Sequence, residues 1–380
     1  MTHLDLTRRD VLRTAALTGA GLSLAQQGLA LPRIQRKTKR VVFVAFAGGV
    51  RTKETFGTPA NVPNMVGMSE EGVLYPRMRT ANLGHFGAAL SIFTGISEPR
   101  GIRENSRGPD PTVFEYLRKD LGLAASDVWI TTSGGAQQTN YAYGLHPEYG
   151  PKYGATTLDG DGIFNRQFKD LLARYGTPEA MPGGEKALLD RLRKGVETGG
   201  GDRVREAENL ARIEEYILNE LTRGTSDISG AGAGDAKALR LARNLLTIFK
   251  PKMVGVVLQN ADTAHGSFNG YQEVIRRNDA ALGELWNAVK EDEELASTTA
   301  FFVLPEFGRD RDLNARRGLD HGDGSDDLRW VSCLAWGPDF KRGVVNKDAH
   351  QVIDVMGTVC DLFGADPVLA KGGRLGGLYG

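Results

Sequence analysis

Four short apolar runs limit what this chain can fold into. Residues 41–46 (Val-Val-Phe-Val-Ala-Phe), 254–258, 300–304 and 330–336 are almost continuously hydrophobic and carry no charge. Runs of this length suit strands buried on both faces, as in a parallel sheet covered by helices on either side. Residues 128–132 add a further short strand. Between the runs lie amphipathic stretches: 62–72, a helix that begins near His85 and ends at Gly95, and 112–121 with Pro111 at its start. The alternation predicts an α/β fold with a mostly parallel sheet sandwiched by helices.

The 380 residues suffice for one large domain whose core needs no staple. Lys and Arg number 47, equal to Asp and Glu, so no net field draws the chain to nucleic acid or to an acidic membrane surface. The two cysteines, Cys333 and Cys360, lie in an apolar strand and an amphipathic helix, which predicts buried thiols, with a disulfide between them left open. Residues 141–162 have no period and read as a long surface loop, with His146 exposed in it. His350 reads as a helix-start residue. Charged helical segments broken by Gly-rich runs fill 180–247 and read as a helical insertion or cap, their charges being solvated faces.

The first 35 residues read as a leader rather than part of the fold. Arg8-Arg9 with Val11-Leu12 precedes a Gly/Ala/Thr-rich run over 14–25 and then Ala30-Leu31-Pro32. That order of charged, mildly apolar and small residues is the pattern of a twin-arginine signal peptide. The run is too short to span a bilayer, and it has no cysteine for a lipid. The expectation is a protein handled by the twin-arginine export machinery, periplasmic or secreted, with residues 36–380 forming the mature domain and no stable membrane span after processing.

Open α/β sheets build their sites beyond the C-terminal ends of their strands. Four residues fall there or in a loop beside such an end: Asp262 and His265 after 254–258, Glu306 after 300–304, and His321 before 330–336. Carboxylates and neutral imidazoles are ligands for zinc and similar divalent ions. His85, at a helix start, is a fifth candidate. No phosphate loop, dinucleotide fingerprint, nucleophile elbow or paired-cysteine zinc motif is present. A glycine pair follows Ser133, a weak phosphate-cradle signal.

At these residues the chain resembles the alkaline phosphatase and sulfatase superfamily. Pro63-Asn64-Met65 with Glu70-Glu71-Gly72-Val73 resembles the first helix, and His85 to Thr94-Gly95, followed by Pro99-Arg100-Gly101-Ile102, resembles the nucleophile helix. Asn260-Ala261-Asp262-Thr263-Ala264-His265-Gly266 resembles a metal-binding segment, and Asp320-His321 with Trp336-Gly337-Pro338 the last metal histidine. Gly48-Gly49 and Glu306-Phe307-Gly308-Arg309 are similar to a twin-arginine-exported bacterial branch of unknown function. The departures fall on one half of the family's site. Phe46-Ala47-Gly48-Gly49 lacks the family's first metal-binding Asp, His85 stands at the nucleophile position, and Glu306-Phe307 replaces an Asp-His pair. Asp262 and His265 are three residues apart, one fewer than usual.

The resemblance implies an alkaline phosphatase-like fold and a hydrolase of phosphate or sulfate esters, acting on small molecules or polymers. Asp262, His265 and His321 would hold one divalent ion (zinc, manganese or calcium), and His85 and Glu306 would be the catalytic groups. A metal-activated water would then replace the covalent route. The alternative is a non-catalytic member that binds an anionic ligand or partner. Metal-bridging reach among the candidates would favour the first reading, and an Asp262–Arg pair the second.

Overall fold

The computed structural model describes residues 36–98, 107–133, 138–159 and 228–380. The expected helical insertion over 180–247 lies outside these residues up to residue 227, as do the leader and the glycine pair after Ser133.

A nine-stranded mixed sheet forms the centre. Its strands are β1 (Arg40–Phe46), β2 (Val73–Arg79), β3 (Val128–Thr132), β4 (Thr156–Asp159), β5 (Met253–Leu258), β6 (Thr299–Pro305), β7 (Trp330–Trp336), β8 (Val344–Val345) and β9 (His350–Gln351). The order is β4-β3-β5-β1-β6-β7-β2-β8, with β9 also paired to β2. The half from β4 to β6 is parallel, whereas β7 is antiparallel to both its neighbours. Phe46 is in register with Leu258 on one side and Pro305 on the other. Three strands therefore end level with one another, which brings Gly48, Asp262 and Glu306 to one edge.

The apolar runs behave as their composition requires. Every residue of β1 is buried, and successive side chains enter opposite cores. Val41, Phe43 and Ala45 join one core, Val42, Val44 and Phe46 the other. The first core is closed by helices α2 (His85–Thr94), α3 (Val113–Asp120) and α6 (Asp354–Phe363). The second is closed by α1 (Pro63–Glu70), α4 (Ala233–Phe249) and α5 (Phe268–Glu291). The C-terminal end of the 180–247 stretch thus contributes a helix to the core, through Ala238, Leu239, Ala242 and Leu246.

Three local expectations are corrected. β2 was absent from the sequence pattern because Pro76 interrupts its alternation. It lies toward the sheet's margin, where its register on β7 shifts between Tyr75 and Met78. The loop after Tyr141 ends in β4, and buried Glu115 of α3 pins it by accepting from Gly144 N (2.8 Å) and Gly150 N (2.7 Å). His350 lies in β9, paired with Met78, and the helix begins only at Asp354.

Cys333 and Cys360 are free and buried, and burial pushes both thiols well above their ordinary range. Neither is expected to react with an aromatic disulfide reagent in the native protein near neutral pH, whereas both titrate after denaturation. Rapid labelling of either in the folded chain would contradict this packing.

Candidate metal centre

The edge where β1, β5 and β6 end carries a compact cluster. β1 runs into Gly48-Gly49. β5 runs into a 3₁₀ turn, Asn260–His265, which presents Asp262 and His265. β6 runs directly into Glu306. His85 opens α2, and His321 comes from the loop that leads back to β7. Of the candidates, His85, His265 and His321 bring one ring nitrogen each to within 4.8 Å of one another. Asp262 Oδ1 lies 2.9 Å from His85 Nε2 and 3.4 Å from His265 Nε2.

The Nδ1 atoms are all engaged elsewhere. His85 Nδ1 donates to Glu306 Oε1 at 2.5 Å, His265 Nδ1 to Asp320 Oδ1 at 2.6 Å, and His321 Nδ1 to the Leu83 carbonyl at 2.9 Å. Each bond fixes a ring orientation and turns Nε2 toward the cluster. Carboxylate or carbonyl partners on the far ring nitrogen are the usual support of metal-ligating histidines. With the neighbouring Asp262 carboxylate, this donor set fits a divalent ion of the zinc class.

The floor and mouth of the cluster differ. Glu306 and Arg309 are wholly buried, while the Asp262 and His265 side chains are 49% and 33% exposed. One face is therefore open to solvent. Phe307 stacks on His321, ring centroids 5.0 Å apart, and closes another.

Electrostatics follow from this arrangement. Burial alone would lower the His85 pKa, but the carboxylates of Glu306 and Asp262 outweigh it and lift it to about 10. Burial acts to raise Asp262, yet His85 and Arg309 hold it below the usual carboxylate range. His321 is lowered by burial and by the positive charge of its neighbours, which keeps it neutral.

Arg309 escaped the sequence reading as a site residue. Its Nη2 donates to Asp262 Oδ1 at 2.6 Å and to the Gly48 carbonyl, and its Nη1 to His265 Nε2 at 3.1 Å. The expected ligands His265 and His321 thus gather with His85, which was expected as a catalytic group, whereas the expected ligand Asp262 pairs with an arginine, the observation that favours the binding reading. An ion held by His265 would need the lone pair that Arg309 now uses.

A second group missed in the sequence is Asp235 of α4. Its carboxylate accepts from Gln259 N (2.9 Å), Asn260 N (3.1 Å) and Asn278 Nδ2 (2.7 Å), which fixes the turn bearing Asp262 and His265. Asp235→Ala strands these donors at a cost of about 1–3 kcal/mol each before relaxation. A net loss of about 3 kcal/mol is expected in urea unfolding, together with weaker metal binding. An unchanged midpoint would refute this role.

No protein-family model matches the sequence, and no curated protein is similar to it. Solved structures are similar in fold. A variant of the alkaline phosphatase PafA matches 92% of this chain over 100% of its own length, with TM-score 0.60 and 11% identity. The phosphonate monoester hydrolase of Agrobacterium radiobacter matches 89% of this chain and 76% of its own, with TM-score 0.53 and 14% identity. A protein in the alkaline phosphatase superfamily from Vibrio parahaemolyticus matches 90% and 70%, with TM-score 0.52 and 13% identity.

Proposed function

We propose that this chain, which has the alkaline phosphatase-like α/β fold, is a hydrolase of phosphate or sulfate esters. It would work with one divalent ion held by His85, His265 and His321, with Asp262 beside them. The observation that carries the reading is that His85, His265 and His321 bring one ring nitrogen each to within 4.8 Å of one another while their Nδ1 atoms are engaged by acceptors. An ion there would displace the proton His85 shares with Asp262 and the Arg309 bond to His265 Nε2. A divalent ion bound there would supply a Lewis acid for an ester oxygen and lower a water's pKa from 15.7 toward ~7. The hydrolase reading is supported by the fold shared with phosphatases and phosphonate hydrolases.

The chain's own residues set the rest. Glu306, buried and hydrogen-bonded to His85, acts as the group that orients that ring. Asp320 does the same for His265. Phe307 keeps water from the inner face of His321. A cleft of about 310 Å³ that starts at Gly266, the residue after His265, is lined by Phe268, Asn269, Leu313, Arg316 and Arg317, and by none of the cluster's own side chains. Its two guanidinium groups favour an anionic substrate over a neutral one.

The pairing of Asp262 with Arg309 favours a second reading, in which the cluster is neutralised internally and binds an anionic ligand without cleaving it. Elemental analysis of protein purified without chelator separates the two. One zinc, manganese or calcium ion per chain, absent from the Asp262→Ala/His321→Ala variant, with turnover of an aryl phosphate or sulfate, is the expected result. Chains that stay metal-free after supplementation and hydrolyse neither ester would leave the binding reading.

We further propose export by the twin-arginine route to the periplasm. Fusion of residues 1–35 to a folded reporter is expected to deliver it there, and Arg8→Lys/Arg9→Lys to retain it in the cytoplasm.

A further inference from the structure

We infer that the cleft beginning at Gly266 is a subsite for a second anionic group. The ester this protein takes then carries a negative charge besides the scissile phosphate or sulfate, joined to it through an aromatic or apolar spacer. The inference rests on the hydrolase reading above and narrows its substrate class.

The lining of the cleft combines two chemistries. Arg316 and Arg317 supply guanidinium groups, and Phe268 and Leu313 supply apolar surface. Among the described residues no carboxylate lines it. A single exposed leucine is ordinary on a protein surface. Here Leu313, 51% exposed, shares one cleft with two cations. A metal ion would be repelled there, and a neutral ligand would leave both guanidinium groups without an acceptor. A carboxylate, sulfate or phosphate on an apolar body satisfies both chemistries at once. The cleft also lies at the amino end of α5, whose dipole adds a weak field of the same sign.

Asp320 ties the cleft to the centre. Its Oδ1 accepts from His265 Nδ1 at 2.6 Å and lies 3.4 Å from Arg316 Nη2. Arg316 is therefore one carboxylate away from a ring of the cluster. That ion pair is exposed and worth little, so the guanidinium can turn to another anion.

The loop is built to hold this position. Leu319 N donates to the Ala264 carbonyl (2.7 Å), Asn314 Nδ2 to the His265 carbonyl (3.1 Å), and Phe268 N to the Arg317 carbonyl (3.1 Å). A Cβ on Gly318 would strike the Ala264 and His265 carbonyl oxygens, so the loop packs directly on the turn that bears His265. Arg317 has φ +59°, a left-handed conformation that suits glycine or asparagine and strains an arginine. Such strain at the mouth of a cleft points to a role for the side chain rather than for the turn.

The test uses the phosphate and sulfate esters of meta- and para-hydroxybenzoate beside those of the matching hydroxybenzamides, on zinc-supplemented protein. Hydrolysis gives kcat/KM and calorimetry gives Kd. Wild type is expected to prefer the better benzoate ester over its amide by about tenfold or more, the worth of one charge-assisted hydrogen bond. Arg316→Gln and Arg317→Asn are each expected to cut that ratio, and the double variant to bring it close to one. Asparagine suits the left-handed position, so Arg317→Asn should melt no lower than wild type, which separates the guanidinium from the loop. Equal constants for acid and amide esters on wild type would overturn the inference and leave the hydrolase reading standing. A preference unchanged in the folded double variant would overturn it as well. Binding preference without turnover, lost in the variants, would support the subsite and remove the hydrolase reading. No binding of any of these esters would remove both.

Discussion

His321→Ala is expected to lose its bound ion and at least about 100-fold of its esterase activity, while remaining folded. Removing a group that merely orients a metal ligand already costs about 10–100-fold in affinity or activity. His321 is placed as a ligand, so its loss sets the lower bound at the top of that range. The residue sits in a loop held by several other bonds. Asp310 Oδ1 accepts from Gly322 N (2.6 Å) and Asp323 N (2.9 Å), and Leu319 N donates to the Ala264 carbonyl (2.7 Å). The loop should therefore survive the substitution, with the circular dichroism spectrum unchanged. Glu306→Gln provides the graded comparison. It keeps the shape but weakens the hold on His85 Nδ1, and a loss of about 10–100-fold in metal affinity is expected. Equal retention of metal in parent and His321→Ala would show that His321 does not ligate.

The second large effect is expected at Gly48. Adding one methyl group in Gly48→Ala places a carbon 2.6 Å from Asp262 N and 2.7 Å from the Gln259 carbonyl, both backbone atoms. Neither can rotate aside, so the ends of β1 and β5 must part. Overpacking costs about 1–3 kcal/mol where side chains can adjust, and more where they cannot. A loss of about 3 kcal/mol or more is expected, a melting-temperature fall of roughly 4 °C or more for a domain of this size. The shift also moves Asp262 away from His85 and Arg309, so metal affinity should fall with stability. A variant as stable as the parent would mean that the two strand ends are not in this close contact.

Much of this architecture could be read from the chain. Uninterrupted apolar runs marked β1, β5, β6 and β7, and the rule that parallel strands carry chemistry at their C-terminal ends picked out Asp262, His265 and Glu306 before any coordinates. What escaped had physical reasons. β2 escaped because Val-Leu-Tyr-Pro-Arg-Met-Arg breaks its own alternation at Pro76 and carries two arginines. Arg309 escaped because an arginine after a strand reads as a surface charge. Only the convergence of the Gly48, Gly49 and Leu319 carbonyls, hundreds of residues apart or across a loop, makes burial affordable. Asp235 escaped because it lies in a stretch whose charges are mostly solvated faces, and its partners are main-chain nitrogens that no side-chain pattern announces. His85 was identified as a candidate, but its two carboxylate partners are separated from it by 177 and 221 residues, distances that local spacing does not encode.

That long-range origin has a consequence for how the protein is made. Groups at 85, 262–265, 306–309 and 320–321 meet only when β1, β5 and β6 have aligned, and β7 returning in the opposite direction must close the loop that carries the last of them. Contacts so distant along the chain form late and slowly, because their loop-closure entropy is met before their contacts are gained. On the proposed metal reading, a chain missing any one of these strands would have no place to hold an ion. Once an ion is bound, mass action draws the population toward the completed fold. If the centre binds an ion as proposed, metal retention would report chains that have finished folding.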